Sequence, residues 1–233
     1  MDVGNPTATQ GWQYELTAHA LAYGVLSRVF YDEPDEDFVR ELANGGVADE
    51  WPVGDGNGHV HAGLALLRES LSPWGRETAQ ALRIDYNRLF LGAGGVPVTP
   101  WESVYLSNEH LLFEEQTLAV RRCYSRFGLE APRLHQEPDD HLGLELAFML
   151  HLCVLALDAL EHGDASRFEE LIDAQRSFLT DHLLRWAPLC LNRVIEYAGT
   201  DYYRGAAHLA LGTLAEAASA LGLEDVDRLV VEA

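Results

Sequence analysis

Apolar residues recur every three or four positions from near the start of this chain to about residue 221, and no run shows the strict apolar/polar alternation of a half-buried strand. Trp12, Leu16, Ala20, Tyr23 and Phe30 set the pattern, at spacings of three, four or seven. They predict a first helix that ends before the acidic turn Asp32-Glu33-Pro34-Asp35. Further helices are predicted near 35–44, 60–71, 76–91, 101–127, 138–162, 165–182, 183–198 and 201–221. The expectation is an all-α fold, a single helical bundle of about nine or ten helices over residues 1–233.

Three breaks punctuate the helices. Residues 45–58, rich in Gly, Asp and Pro, read as a flexible surface loop, and Gly92-Ala-Gly-Gly-Val-Pro-Val-Thr-Pro100 joins two helical stretches. Residues 128–138 carry two prolines and are a candidate hinge within the one domain, since no low-complexity linker marks a boundary there. Two helix starts are clearly signalled. In Thr99-Pro100-Trp101-Glu102, Thr99 suits an N-cap, Pro100 the first helical position, and Glu102 the returning arm of a capping box. In Glu137-Pro138-Asp139-Asp140-His141, Pro138 suits a first turn, and the two aspartates place negative charge at the positive end of the helix dipole.

Composition removes several classes of function. With 48% hydrophobic residues the chain can bury a sizeable core, so it is not disordered. Its net charge of -21, with 37 acidic residues against 16 basic ones that are all Arg, leaves no basic face for nucleic acid or for anionic lipid. Such lysine-free acidity fits either a protein kept hydrated in concentrated salt or GC-rich codon usage. Cys123, Cys153 and Cys190 are too dispersed for a disulfide framework or a thiolate metal site, which points to a reducing cytoplasm. Residues 1–10 lack the basic region and apolar run of a secretory signal. The longest apolar stretch, 142–160, contains Glu145, His151 and Asp158 and reads as a core helix rather than a membrane span.

Chemistry-bearing residues cluster in few places. His141 and Glu145 are four apart at the polar end of an apolar stripe continued by Phe148 and Leu152. Glu137, His141 and Glu145 together offer a thin metal site, with no second Glu-x-x-His to complete a di-metal bundle. Asp140 with His141 offers an acid/base pair, unaccompanied by a nucleophile elbow, P-loop or dinucleotide fingerprint. The plain alternative is a capping aspartate and a hydrogen-bonded core histidine. Tyr86, Phe90, Trp101 and Tyr105 flank the Gly/Pro loop in two pairs, which suits core packing and equally suits a partly open apolar groove with a pliable rim.

The segments Tyr86-Asn-Arg-Leu-Phe90, Pro100-Trp-Glu-Ser-Val-Tyr105, Glu137-Pro-Asp-Asp-His141 and Leu144-Glu-Leu-Ala-Phe-Met149 resemble, in order and spacing, the motifs of the TorD/DmsD-type maturation chaperones for molybdenum redox enzymes. Phe178-Leu-Thr-Asp-His-Leu-Leu-Arg-Trp-Ala-Pro188, with Asp201-Tyr-Tyr203 downstream, resembles the family's C-terminal pattern. The resemblance implies an all-helical cytoplasmic chaperone without catalytic activity or cofactor of its own. Such a chaperone binds a twin-arginine leader peptide and the apoenzyme of a DMSO/TMAO reductase-like molybdoenzyme, delaying export until the cofactor is inserted. It further implies that Tyr86, Phe90, Pro100, Trp101 and Glu102 line the peptide groove, and that Pro138, Asp140 and His141 form its functional corner. As a monomer or homodimer, the protein would make no stable membrane insertion.

A leader with two guanidinium groups and an apolar stretch calls for carboxylates beside a greasy surface. Asp139, Asp140 and Glu102 are the expected carboxylates, and Tyr86, Phe90, Trp101 and Tyr105 the expected apolar surface. In strong salt the Debye length falls to about 3 Å, so recognition would depend on desolvated contacts instead of long-range steering. Two alternatives stand beside this reading: a NarJ-like assembly chaperone for a nitrate reductase, and a metal-dependent helical-bundle enzyme using Glu137, His141 and Glu145.

Overall fold

The computed structural model describes residues 6–47, 49–71, 76–92, 95–107, 115–132 and 137–223. Among the described residues there are ten α-helices and no strand: α1 (Pro6–Tyr31), α2 (Glu36–Asn44), α3 (Gly58–Leu71), α4 (Arg76–Tyr86), α5 (Glu102–Leu106), α6 (Glu115–Arg126), α7 (Leu142–Glu161), α8 (Ala165–Phe178), α9 (Leu184–Tyr197) and α10 (Asp201–Ala220). A π-helical turn, Asn87–Leu91, extends α4, and a second, Leu179–Leu183, joins α8 to α9. The all-α expectation and the helix number both agree with this architecture.

α7 is the central helix. Leu142, Leu146, Met149, Leu152, Cys153 and Ala156 are wholly buried, and α1 packs along one side of it while α8 packs along another. By length and composition it would cross a membrane, but its apolar surface is spent on neighbouring helices. The second extensive pairing is α3 with α10. Backbones approach closely where side chains are missing: a Cβ built on Gly205 would lie 2.8 Å from Gly63 O, and one on Gly63 would lie 2.7 Å from Gly205 O. At the α1–α7 crossing, a Cβ on Gly143 would meet Ser27 O at 2.8 Å. These glycines set how tightly the two helix pairs close.

Loops are tied down by side chains. Asp35 caps α2 by accepting from Asp37 N and Phe38 N, which turns Phe38, Val39 and Leu42 into the core. Asp85, at 3% exposure, accepts from Gly199 N and from both the N–H and the hydroxyl of Thr200, so α4 holds the start of α10. The 45–58 stretch is anchored, contrary to the expectation of a flexible surface loop: Trp51 and Val53 are buried, and Trp51 Nε1 donates to Thr213 Oγ1 at 3.0 Å. Two other expectations are corrected. The helix expected over 101–127 is two helices, because α5 ends at Ser107 in extended conformation. The helix expected from Pro138 begins only at Leu142, since Asp139 and Asp140 have side-chain and backbone partners outside that helix. The candidate hinge at 128–138 lies partly outside the described residues.

The glycine contacts make opposite predictions at two sites. Gly24, whose Cβ would meet only Leu150 Cδ2 at 3.8 Å, should gain up to about 1 kcal/mol as Gly24→Ala from helix propensity. Gly205→Ala should lower the urea midpoint without changing m, because the clash is with backbone and overpacking costs about 1–3 kcal/mol.

Candidate functional site

The site is organised by a short antiparallel bridge. Glu102 N donates to Asp140 O and Leu142 N donates to Pro100 O, each at 2.9 Å, so Trp101 pairs with His141 across two segments far apart in sequence. Extended backbone at Trp101 and His141 permits this pairing, and each residue then stands at the start of a helix, α5 and α7 respectively. Pro100 fits because its carbonyl, the group it keeps, is the one used.

Asp140 is wholly buried and holds α5 in place: Ser103 N donates to Oδ2 and Thr117 Oγ1 donates to Oδ1, each at 2.7 Å. Its carboxylate therefore serves the start of α5, not that of α7. The cap of α7 is His141, whose Nδ1 accepts from Gly143 N at 3.1 Å, leaving the ring proton on Nε2. Thr99 caps nothing, and the expected capping box does not form because α5 starts at Glu102. Asp139 receives a bidentate pair from Arg121, at 2.7 and 2.9 Å, while its carbonyl accepts from Tyr124 OH. Glu102, at 1% exposure, bonds to His182 Nδ1 at 2.9 Å.

Burial sets the protonation states. It pushes His141 down to about 3, so the imidazole is neutral. It also lowers His182, but the bonds to Cys123 and Glu102 outweigh that effect and lift it to about 9. Glu145 is held well above the usual carboxylate range, first by burial and then by the charges of Glu102 and Asp140. Its Oε2 accepts from Trp186 Nε1 at 3.2 Å, and its Oε1 has no donor among the described residues.

All ten expected site residues gather here or on the adjoining aromatic layer, but with unequal access. Tyr86, Phe90, Pro100, Glu102, Pro138, Asp139, Asp140 and His141 are buried; Trp101 and Tyr105 are partly exposed. Tyr86 and Phe90 pack edge-on to each other and both face Tyr203, while Tyr86 OH donates to Tyr31 O at 2.8 Å. His141 lies between Tyr31 and Trp101, whose rings meet it edge-on at 5.2 and 5.5 Å. Trp101 Nε1 has no acceptor among the described residues. The trio considered for a metal goes to separate partners: Glu137 accepts from Tyr31 OH, His141 from Gly143 N and Glu145 from Trp186. Among the described residues no group of three or more His, Cys, Asp or Glu side chains is arranged to hold a metal ion.

A family model described as the nitrate reductase delta subunit matches residues 57–192, which include this whole bridge. The chain belongs to that family. It is 30% identical over 201 residues to the Tat proofreading chaperone DmsD of Salmonella typhi, covering 84% of this chain and 87% of that one. It is also 29% identical over 200 residues to the chaperone protein TorD of a Vibrio cholerae O1 strain, covering 82% and 86%. Within this member of the family, sequence reasoning missed Arg121, Thr117, His182 and Trp186 as the internal partners of the acidic corner. Arg121 and Thr117 are four apart on one face of α6, and that spacing was the available clue.

The two histidines give opposed pH limbs. His141 titrates near 3 folded against 6.5 unfolded, so its contribution is intact above pH 6.5 and falls as pH drops, by about 1.4 kcal/mol per unit. His182, raised to about 9, stabilises fully below pH 6.5, and that support is lost as pH rises through 9. Urea unfolding across pH should show His141→Asn, which keeps a capping side chain, flattening the acid limb and His182→Gln flattening the alkaline limb.

Proposed function

We propose that the protein is a cytoplasmic maturation chaperone that binds the twin-arginine leader and the apoenzyme of a molybdenum oxidoreductase, of the DMSO/TMAO reductase kind, and delays export until the cofactor is in place. The observation that carries this reading is the pair of accessible aromatics, Trp101 and Tyr105, mounted on a corner that a buried polar network holds fixed. Named chaperone relatives along most of the chain support the same class of function. The reading assigns no catalysis to this corner: Asp140 and His141 hold backbone N–H groups, Glu102 holds His182, and the buried site residues position the corner instead of touching the leader.

A second client is favoured by the description of the family model itself, the nitrate reductase delta subunit. The apoenzyme that copurifies from native lysate decides between the two.

Calorimetric titration of a synthetic leader containing Arg-Arg and its apolar segment tests the reading. Trp101→Ala should weaken binding by about 2 kcal/mol, as removal of an aromatic anchor does, with the unfolding midpoint little changed. Asp140→Asn should behave oppositely, because Asn can no longer accept from both Ser103 N and Thr117 Oγ1: a loss of about 1–3 kcal/mol in stability and unchanged leader affinity in the folded fraction. A Trp101→Ala protein that binds normally but unfolds early would place Trp101 in the core and refute its role as an anchor.

A further inference from the structure

Cys123 has no part in leader binding, and its surroundings differ from those of the other two cysteines. Cys153 and Cys190 are wholly buried, and burial pushes both thiols up to about 12. Cys123, on α6, is half-buried. It lines a pocket closed by α7, α8 and the π-helical turn after α8, with Phe148, Phe178 and His182 among its walls. The pocket has a volume of about 70 Å³, room for a few water-sized molecules at about 10–15 Å³ or more each. It admits a small molecule to the sulfur and excludes a much larger one. No second cysteine lines it.

The thiol stands at the end of a chain of polar groups. Cys123 Sγ lies 3.9 Å from Nε2 of His182, whose Nδ1 donates to Glu102 at 2.9 Å. Phe178 packs against the same imidazole, with ring centroids 4.8 Å apart. The carboxylate and the aromatic face fix the ring, so Nε2 is the nitrogen presented to the sulfur. His182 is lifted to about 9, and at neutral pH Nε2 therefore carries a proton. Cysteine, imidazolium and carboxylate follow in series. An imidazolium beside a thiol favours negative charge on sulfur and has a proton to give to a leaving group. Two other charged side chains line the pocket, of opposite sign: Arg126, paired with Glu170, and the exposed Asp181. Acyl transfer is not supported, because Cys123 lies inside α6, where the helix spends its own N–H groups and leaves none to hold an oxyanion.

We infer that Cys123 is a peroxide-reactive thiol, a site at which hydrogen peroxide converts the side chain to a sulfenic acid with His182 as proton donor. The sulfur gives up its own proton to solvent and attacks one peroxide oxygen. The S–O bond forms as the O–O bond breaks, so sulfur is oxidised and peroxide reduced. The departing hydroxide takes the Nε2 proton and leaves as water, and His182 is reprotonated from solvent. Thiol and peroxide thus give sulfenic acid and water. With no second cysteine lining the pocket, the sulfenic acid awaits a reducing thiol from outside it. The inference stands apart from the chaperone reading and survives or fails without it.

The test treats the full chain with hydrogen peroxide in the presence of dimedone, which captures sulfenic acids, and locates the label by mass spectrometry. Cys123 should be labelled at least tenfold faster than the cysteine of a short unstructured peptide, while Cys153 and Cys190 stay unlabelled. Cumene hydroperoxide, too large for the pocket, should lose at least tenfold in rate against hydrogen peroxide at Cys123, after correction for the same ratio in the peptide. Because His182→Gln also removes support from the fold, its peroxide rate is divided by its rate of alkylation with iodoacetamide, whose leaving iodide needs no proton. That ratio should fall at least tenfold from wild type. Labelling of Cys123 no faster than the peptide overturns the inference, and so does indifference to the size of the peroxide. An unchanged ratio in His182→Gln removes the proton donor and overturns it as well. The two wild-type comparisons decide the matter whether or not the variant folds.

Discussion

Two backbone hydrogen bonds, Glu102 N to Asp140 O and Leu142 N to Pro100 O, join connections that the sequence separates by nearly forty residues. A helical bundle has few such cross-links, because its helices satisfy their own backbones and leave the connections to be positioned by side chains. Here the bridge fixes the entry of α5 and of α7 together. The aromatic pair, the capping histidine and the buried acids all take their places from it. Closing so long a loop costs entropy that only the surrounding burial and hydrogen bonding offset.

The interior polar cluster follows one rule. A buried charge is tolerated where donors surround it, and a group without enough donors gives up its charge. Asp139 keeps a guanidinium, Asp140 keeps an amide and a hydroxyl, and Glu102 keeps His182. The Glu145 carboxyl, buried near the charges of Glu102 and Asp140, is held well above the usual carboxylate range. In a chain of net charge -21, such local accounting separates acids that build the fold from acids that remain available at the surface.

Helix content and most helix bounds were legible from periodicity, since α1, α3 and α8 each bury one coherent face, while α10 is buried nearly all round. The ends were less so. Pro100 and Pro138 read as helix starts because proline favours a first turn, but each precedes its helix: Pro100 lends its carbonyl to the bridge, and Pro138 lies four residues before Leu142. That pairing is a long-range contact, and local sequence rules do not see it. The expected site residues lie near one another, while their access was not legible: aromatics at helical spacing look the same whether they line a groove or, as with Tyr86 and Phe90, fill the core. Residues 45–58 were misread because composition alone marks a loop as loose, whereas Trp51 fastens this one to α10.

The π-helical turn at Leu179–Leu183 is a matter of phase. Each residue advances an α-helix by about 100°, so one surplus residue in a turn rotates everything downstream relative to everything upstream. Phe178, before the turn, faces Phe148 and Tyr124, and Trp186, after it, faces Glu145 and Tyr105, with His182 between them directed at Glu102. The turn acts as a fixed angular offset, a vernier between two helices that read as one. Shortening it by a single residue would leave every residue type in place and still point the α9 side chains away from the partners they now meet.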